Sequence, residues 1–306
     1  MTSTPTKTYH SDTPLWEESK TIPFDEMIIS WNTLRPQQGS FEIMVSVNVD
    51  GWTPWYSYAS WGCHTQQGGN ASPKDVPLKI QQDIISILNG NKASGFRIEI
   101  RALEGANLED FYSVHACVSR IAELQMENTP LLRSIDLNVP LVSQMALPHP
   151  RCRDMCSPTS TSAVVSYLTN NWVDPIVFAA RARDEAFDIF GNWVLNTAEA
   201  SGILGPNWCC SVQRLQKFDE IYQQLELGIP VIVSVKGPLL GSILPYNQGH
   251  LIVVKGYKAE TNQVICMDPA FPCDEETNVS YYLTDFMHAW SRRQGVAYML
   301  ANKVNM

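Results

Sequence analysis

The spacing of apolar residues changes period once along this chain, near residue 125, and that change constrains the fold more than any single motif. Before it, apolar positions alternate. Met27-Ile28-Ile29-Ser30-Trp31, Phe41-Glu42-Ile43-Met44-Val45-Ser46-Val47 and Gly95-Phe96-Arg97-Ile98-Glu99-Ile100-Arg101 approach the period of two of a strand with one buried face. Residues 111–118 read as a last such strand. Turn formers separate the runs at 36–39, at Asp50-Gly51 and at Gly68-Gly69-Asn70. Short strands at these intervals pack as an all-β sandwich or jelly-roll-like domain. Beyond residue 125, the segments 157–168, 175–183, 193–200 and 218–225 read as helical. After Gly228-Ile229-Pro230 come three apolar β-rich runs at 231–235, 250–257 and 263–267, then a helix at 283–290 and a strand at 296–300. Helices first and strands afterwards define an α+β domain. A chain of 306 residues is long enough for both domains. The expected organisation is a flexible polar tail at 1–20, a β-rich accessory domain at 21–124, a linker with Pro130 at 125–137, and an α+β domain at 138–306.

Charge excludes one class of partner. The formal net charge is −9, and the 22 Lys and Arg are scattered, so the molecule repels phosphate backbones and nucleic acid is not an expected partner. The polar N-terminus has no signal-peptide core, and no apolar run approaches the roughly 18 residues of a membrane span. The expectation is a cytoplasmic chain, with an unconventional export system as the alternative. Eight cysteines in a chain of this length read as thiols rather than a disulfide framework. Cys63-His64, Cys152 with Cys156, and Cys209-Cys210 are candidate zinc ligands by residue type, but none has paired CxxC spacing. No metal and no cofactor are expected.

The chemistry concentrates in Cys156-Ser157-Pro158-Thr159-Ser160. Pro158 fits a first helical turn, where a missing N–H costs nothing. A thiol at that position feels the positive end of the helix dipole, which favours the thiolate. A nucleophilic cysteine then needs a base, a group orienting the base, and donors for an oxyanion. His250, between Gly249 and Leu251-Ile252-Val253-Val254, offers an imidazole at the start of a strand. Asp268, followed by Pro269, offers a carboxylate where the next strand ends. Gln144 offers a side-chain amide that could serve the oxyanion beside the backbone N–H of Cys156. The blander alternatives are a small buried thiol, a structural histidine, an Asp-Pro turn and a surface glutamine.

Taken in order, Val139-Pro140 with Ser143-Gln144, Cys156-Ser157-Pro158-Thr159-Ser160, Gly249-His250 with Gly256-Tyr257, and Met267-Asp268-Pro269 resemble the papain-like cysteine peptidases of the bacteriocin-processing type. That group includes double-glycine leader peptidases and stand-alone bacterial relatives. The resemblance implies a papain-like domain with Cys156 as nucleophile, His250 as base, Asp268 as orienting residue and Gln144 as oxyanion donor. It implies hydrolysis of a peptide bond through a thioester, on a peptide or protein substrate. Many relatives carry glycine where this chain has Ser157, which bears on how substrate approaches the thiol. A stand-alone bacterial subgroup has Cys-Ser-Pro-Thr-Ser-Thr and a β-rich N-terminal module with a Ser-Trp strand, matched here by Ser30-Trp31. The chain has no GxxxxGK[ST] motif and no spanning segment, so the exporter role of leader peptidases does not transfer.

Two further readings remain open from sequence. The same triad could serve a thiol acyltransferase or amidase, and a chain of this fold could bind peptide or glycan without turnover. Trp52-Thr53-Pro54-Trp55-Tyr56-Ser57-Tyr58-Ala59-Ser60-Trp61 would supply such contacts if exposed, although filling a small β core is the commoner use of these residues. Cys152 could form a reversible disulfide with Cys156 and lock the thiol.

Overall fold

Strand alternation in the first third of the chain becomes one long antiparallel path. The structure, a computed structural model, describes residues 5–124, 126, 131 and 133–303. Positions 1–4 of the expected tail and 125, 127–130 and 132 of the expected linker lie outside the described residues. In chain order the first strands are β1 (Thr6–Ser11), β2 (Leu15–Glu18), β3 (Glu26–Thr33), β4 (Ser40–Asn48), β5 (Tyr56–Gly62), β6 (Gln66–Ala71), β7 (Leu78–Gln82), β8 (Ile84–Ile87), β9 (Gly95–Leu103) and β10 (Phe111–Ser119). There follow β11 (Ile135–Asp136), α1 (Cys156–Thr169), α2 (Pro175–Ala182), α3 (Trp193–Leu204), β12 (Trp208–Arg214) and α4 (Phe218–Glu226). Last come β13 (Val231–Gly237), β14 (Tyr246–Lys258), β15 (Gln263–Met267), β16 (Asn278–Tyr282), α5 (Leu283–Ser291) and β17 (Val296–Asn302). The chain divides into two units, Met1–Leu124 with Arg181–Val212, and Gln125–Ala180 with Gln213–Met306.

In the first unit the strands run in the order β1-β10-β3-β8-β7-β6-β5-β4-β9-β2, each neighbour antiparallel. Burial keeps the period of two: Phe96, Ile98 and Ile100 of β9 point inward, while Arg97, Glu99 and Arg101 do not. The path folds back on itself. Trp31 on β3 meets Trp61 on β5 edge to face at 6.3 Å, and the Tyr58 hydroxyl donates to the Asp83 carbonyl at 2.6 Å. The aromatic segment is thus divided. Tyr58 and Trp61 are buried, and Trp52 lies under the Arg97 guanidinium at 3.7 Å.

Three sequence expectations differ from this unit. The segment expected as a flexible tail forms β1 and β2, paired with β10 and β9. These edge strands alternate mostly among polar residues, so only the Trp16 side chain, edge-on to Phe96 at 4.9 Å, signals burial. Gly68-Gly69-Asn70, expected as a turn, lies inside β6. A Cβ on Gly69 would stand 2.5 Å from the Tyr58 carbonyl oxygen, so glycine here permits close strand approach rather than chain reversal. The segment Arg181–Val212, expected in the C-terminal domain, groups with the first unit. Polar residues of β3 bind it: the Asn32 amide accepts from Cys210 N–H at 2.7 Å and donates to its carbonyl at 3.1 Å. The Ser201 hydroxyl oxygen on α3 accepts from Thr33 N–H at 3.1 Å.

In the second unit an antiparallel sheet runs β17-β13-β14-β15-β16, with β11 also on β14. Phe218 and Tyr257 cluster with Phe286 and Trp290 beneath it. In helix α1 every residue from 157 to 166 is buried, polar and apolar alike. Several of its hydroxyls offset this by bonding back to the helix. Thr161 donates to the Ser157 carbonyl at 2.8 Å and Ser166 to the Ser162 carbonyl at 2.7 Å. The Ser160 hydroxyl donates to the Leu251 carbonyl at 3.0 Å, fixing α1 against β14 one residue from His250.

Candidate active site

Cys156 is the first residue of α1 and is partly exposed. The N–H groups of a first helical turn have no partner within the helix, so they surround the sulfur with donors. Ser157 and Leu251 direct backbone hydrogen bonds to it. His250 bonds it through its side chain.

His250 is held from the other side. Its Nε2 lies 2.8 Å from Asp268 Oδ1, which leaves Nδ1 as the ring nitrogen for the thiol. The Tyr246 ring stacks on the imidazole, centroids 4.1 Å apart and planes 25° from parallel. Gly249 sets the approach. Its φ is +97°, and a Cβ there would meet the Arg293 guanidinium at 3.1 Å. The His250 and Asp268 strands are neighbours, with Val253 opposite Met267. This pairing carries the carboxylate from the end of β15 to the imidazole on β14.

Asp268 is fully buried and its carboxylate is fully engaged. Oδ1 accepts from Ala270 N–H at 3.1 Å as well as facing His250. Oδ2 accepts from the Tyr246 hydroxyl at 2.6 Å and the Tyr281 hydroxyl at 2.7 Å. A buried charge survives only when paired and hydrogen-bonded in this way. The two tyrosines were not singled out from the sequence. Tyr246 stands four residues before His250, and the register shift of β14 against β13 between them, with Gly249 at a φ of +97°, accompanies the close stacking of the two rings. The spacing alone gives no signal of it. Tyr281 carried none, since a tyrosine in an apolar strand reads as core.

The electrostatics follow from these contacts. Burial pushes the Cys156 thiol up, but the hydrogen bond and charge of His250, with the two backbone donors, outweigh it and leave the thiol below its ordinary value. Burial pulls the His250 imidazole down, but the Asp268 carboxylate and the Cys156 sulfur carry it up to about 10. Burial raises the Asp268 carboxyl, yet His250 and the two phenols hold it below the usual carboxylate range. Both phenols are pushed up, first by burial and then by the carboxylate they serve. The arrangement supports a thiolate–imidazolium pair.

Gln144 lies in the same neighbourhood, but its donors are engaged elsewhere. Nε2 donates to the carbonyls of Cys152 at 3.0 Å and Arg153 at 2.8 Å, and Oε1 is buried without a partner. Its backbone N–H donates to the Pro269 carbonyl at 2.9 Å, which ties it to the residue after Asp268. Ser157 is buried, its hydroxyl 2.8 Å from that of Tyr298 on β17. Its side chain therefore points into the core rather than over the thiol. Cys152 and Cys156 are both free thiols.

A Cys–His–Asp chain with its thiol at the start of a helix, on a unit of helices and antiparallel sheet, is an arrangement used by thiol hydrolases. The signature of the Peptidase_C39 like family matches residues 136–298, more than half of the chain, and the chain belongs to that family. It is thereby a member of a family of cysteine peptidases. Among solved structures, the chain is similar to one described as a C39-like peptidase from Bacillus anthracis. The two share 19% identity over 56% of this chain and 98% of the other, with a TM-score of 0.43. No curated protein matches this chain. Among the described residues, no helix is long and apolar enough to cross a membrane.

Proposed function

We propose that this chain is a cysteine peptidase in which Cys156, His250 and Asp268 act as a triad on a peptide or protein substrate. The observation that carries the reading is the unbroken chain from the Cys156 sulfur through His250 to an Asp268 carboxylate held by Ala270 N–H, Tyr246 and Tyr281. The Cys156 thiolate attacks the scissile carbonyl carbon, and His250 Nδ1–H gives its proton to the leaving amine. Water, deprotonated by the same nitrogen, then attacks the thioester and returns the thiol. Asp268 remains ionised throughout and keeps the proton of Nε2 in place.

The oxyanion receives the backbone N–H of Cys156 and one N–H of Gln144, which exchanges the carbonyl of Cys152 or Arg153 for the incoming oxygen. Ser157, turned toward Tyr298, leaves the space above the sulfur to substrate. The first unit serves as an accessory domain to the peptidase. Incubation with an unfolded protein substrate, with the new termini read by mass spectrometry, tests the reading. Cleavage by the wild type that is lost in Cys156→Ala and His250→Ala is expected. Cleavage that persists in Cys156→Ala would overturn it.

A further inference from the structure

A second cluster of chemistry-bearing side chains lies in the first unit, on a sheet face that the peptidase reading does not use. His10 on β1 and His115 on β10 are directly opposite in the strand register. Their rings are 4.6 Å apart, centroid to centroid, and tilted by 31°. Cys209 on β12 brings its sulfur 3.0 Å from His115 Nε2. One donor atom from each of the three residues falls within 4.8 Å of the others. His115 and Cys209 are buried, whereas the His10 side chain is 44% exposed, so the cluster is open to solvent on one side.

We propose that His10, His115 and Cys209 bind a divalent zinc-class cation. Two imidazoles and a thiolate are the donor set of borderline-soft first-row metals and a poor one for magnesium or calcium. With ordinary zinc bond lengths and tetrahedral angles, the His115 nitrogen and the Cys209 sulfur would stand about 3.5 Å apart. Small side-chain rotations from the 3.0 Å contact suffice. His10 already has the support that metal-bound imidazoles use. Its Nε2 lies 2.9 Å from Asp12 Oδ1, which fixes the proton there and leaves Nδ1 with its lone pair for the metal.

The Ser113 hydroxyl stands 3.3 Å from His115 Nε2 and can turn to the solvent that completes the coordination. On binding, the Cys209 thiol gives up one proton to solvent, and no electron moves. The three ligands come from distant segments, and β1 is the terminal strand of its sheet with β10 as neighbour. The ion therefore pins an edge strand and the β12 segment to the sheet. Sequence spacing could not reveal it, because no two ligands are close in the chain.

Cobalt(II) titration of the full chain, followed by zinc competition, tests the site. One cobalt per chain, with a thiolate-to-cobalt charge-transfer band that zinc abolishes, is expected for the wild type and for Cys156→Ser. The band should vanish in Cys209→Ser. In Asp12→Ala the cobalt affinity should fall by roughly 10-fold to 100-fold. Zinc should raise the melting temperature of the wild type but not of His10→Ala, an exposed substitution that keeps the measurement meaningful if Cys209→Ser folds poorly. A band that persists in Cys209→Ser, a band that requires Cys156, or no stoichiometric binding in the wild type would overturn the proposal.

Discussion

Replacing Tyr281 by phenylalanine removes one of the donors that keep Asp268 ionised inside the second unit, and leaves the ring that fills the core. The lost bond is 2.7 Å long and ends on a fully buried carboxylate. A hydrogen bond to a charged group contributes about 1.5–3 kcal/mol, against about 0.5–1.5 kcal/mol for a neutral pair. The excess of the charged over the neutral bond, about 1–1.5 kcal/mol, moves the Asp268 carboxyl up by about one pH unit, at about 1.4 kcal/mol per unit. Its folded value starts below the usual carboxylate range, so the ionised site adds stability above the unfolded carboxylate value, and loses it as pH falls through the folded one. Tyr281→Phe should therefore unfold in urea about 1.5–3 kcal/mol more easily at pH 7 with an unchanged slope. The difference should shrink toward the neutral-pair value as pH is lowered stepwise through the folded carboxyl's titration. A difference below about 0.5 kcal/mol at pH 7, or one that does not change with pH, would refute the claim that the phenol serves an ionised Asp268.

Other perturbations probe neighbouring parts of the account. The raised His250 value sets the basic limit of the ion pair. Alkylation of Cys156 should persist well below the usual thiol range, and peptidase activity should fall as pH rises through about 10. A fall centred near 6.5 would mean that the imidazole is not held by Asp268. Gly249→Ala should cost about 1–3 kcal/mol of stability from the positive φ, and should slow alkylation by displacing Arg293 and the strand that carries His250. An unchanged melting temperature would contradict this. Gln144→Ala should lower kcat by roughly 100-fold to 1000-fold if one of its N–H groups reaches the oxyanion. Loss of stability with kcat unchanged would reduce Gln144 to a brace for the Cys152 and Arg153 carbonyls.

Cys156, His250 and Asp268 were legible because each announces itself locally. Cys156 precedes a proline in a helical pattern, and His250 opens an unbroken apolar strand. Asp268 stands where Pro269 stops the next strand. Two adjacent antiparallel strands then bring the last two together without any long-range inference. The second layer was not legible. Tyr246 and Tyr281 reach Asp268 from different strands, and a tyrosine that donates to a buried charge has the same sequence signature as one that only packs. Nor could composition show that Arg181–Val212 joins the first unit, since the side chains that bind it, Asn32 and Ser30, are ordinary polar residues in a strand. Strands β1 and β2 carry little sequence signal for a related reason, because an edge strand need bury little to pair.

The central claim is that Cys156 is a thiol activated by His250, and brief iodoacetamide treatment at pH 6 followed by intact-mass measurement tests it most directly. Fast addition of a single label at Cys156 in the wild type, lost in His250→Ala, is the predicted result. Labels spread over several cysteines, or labelling of Cys156 that the His250 substitution leaves unchanged, would contradict it.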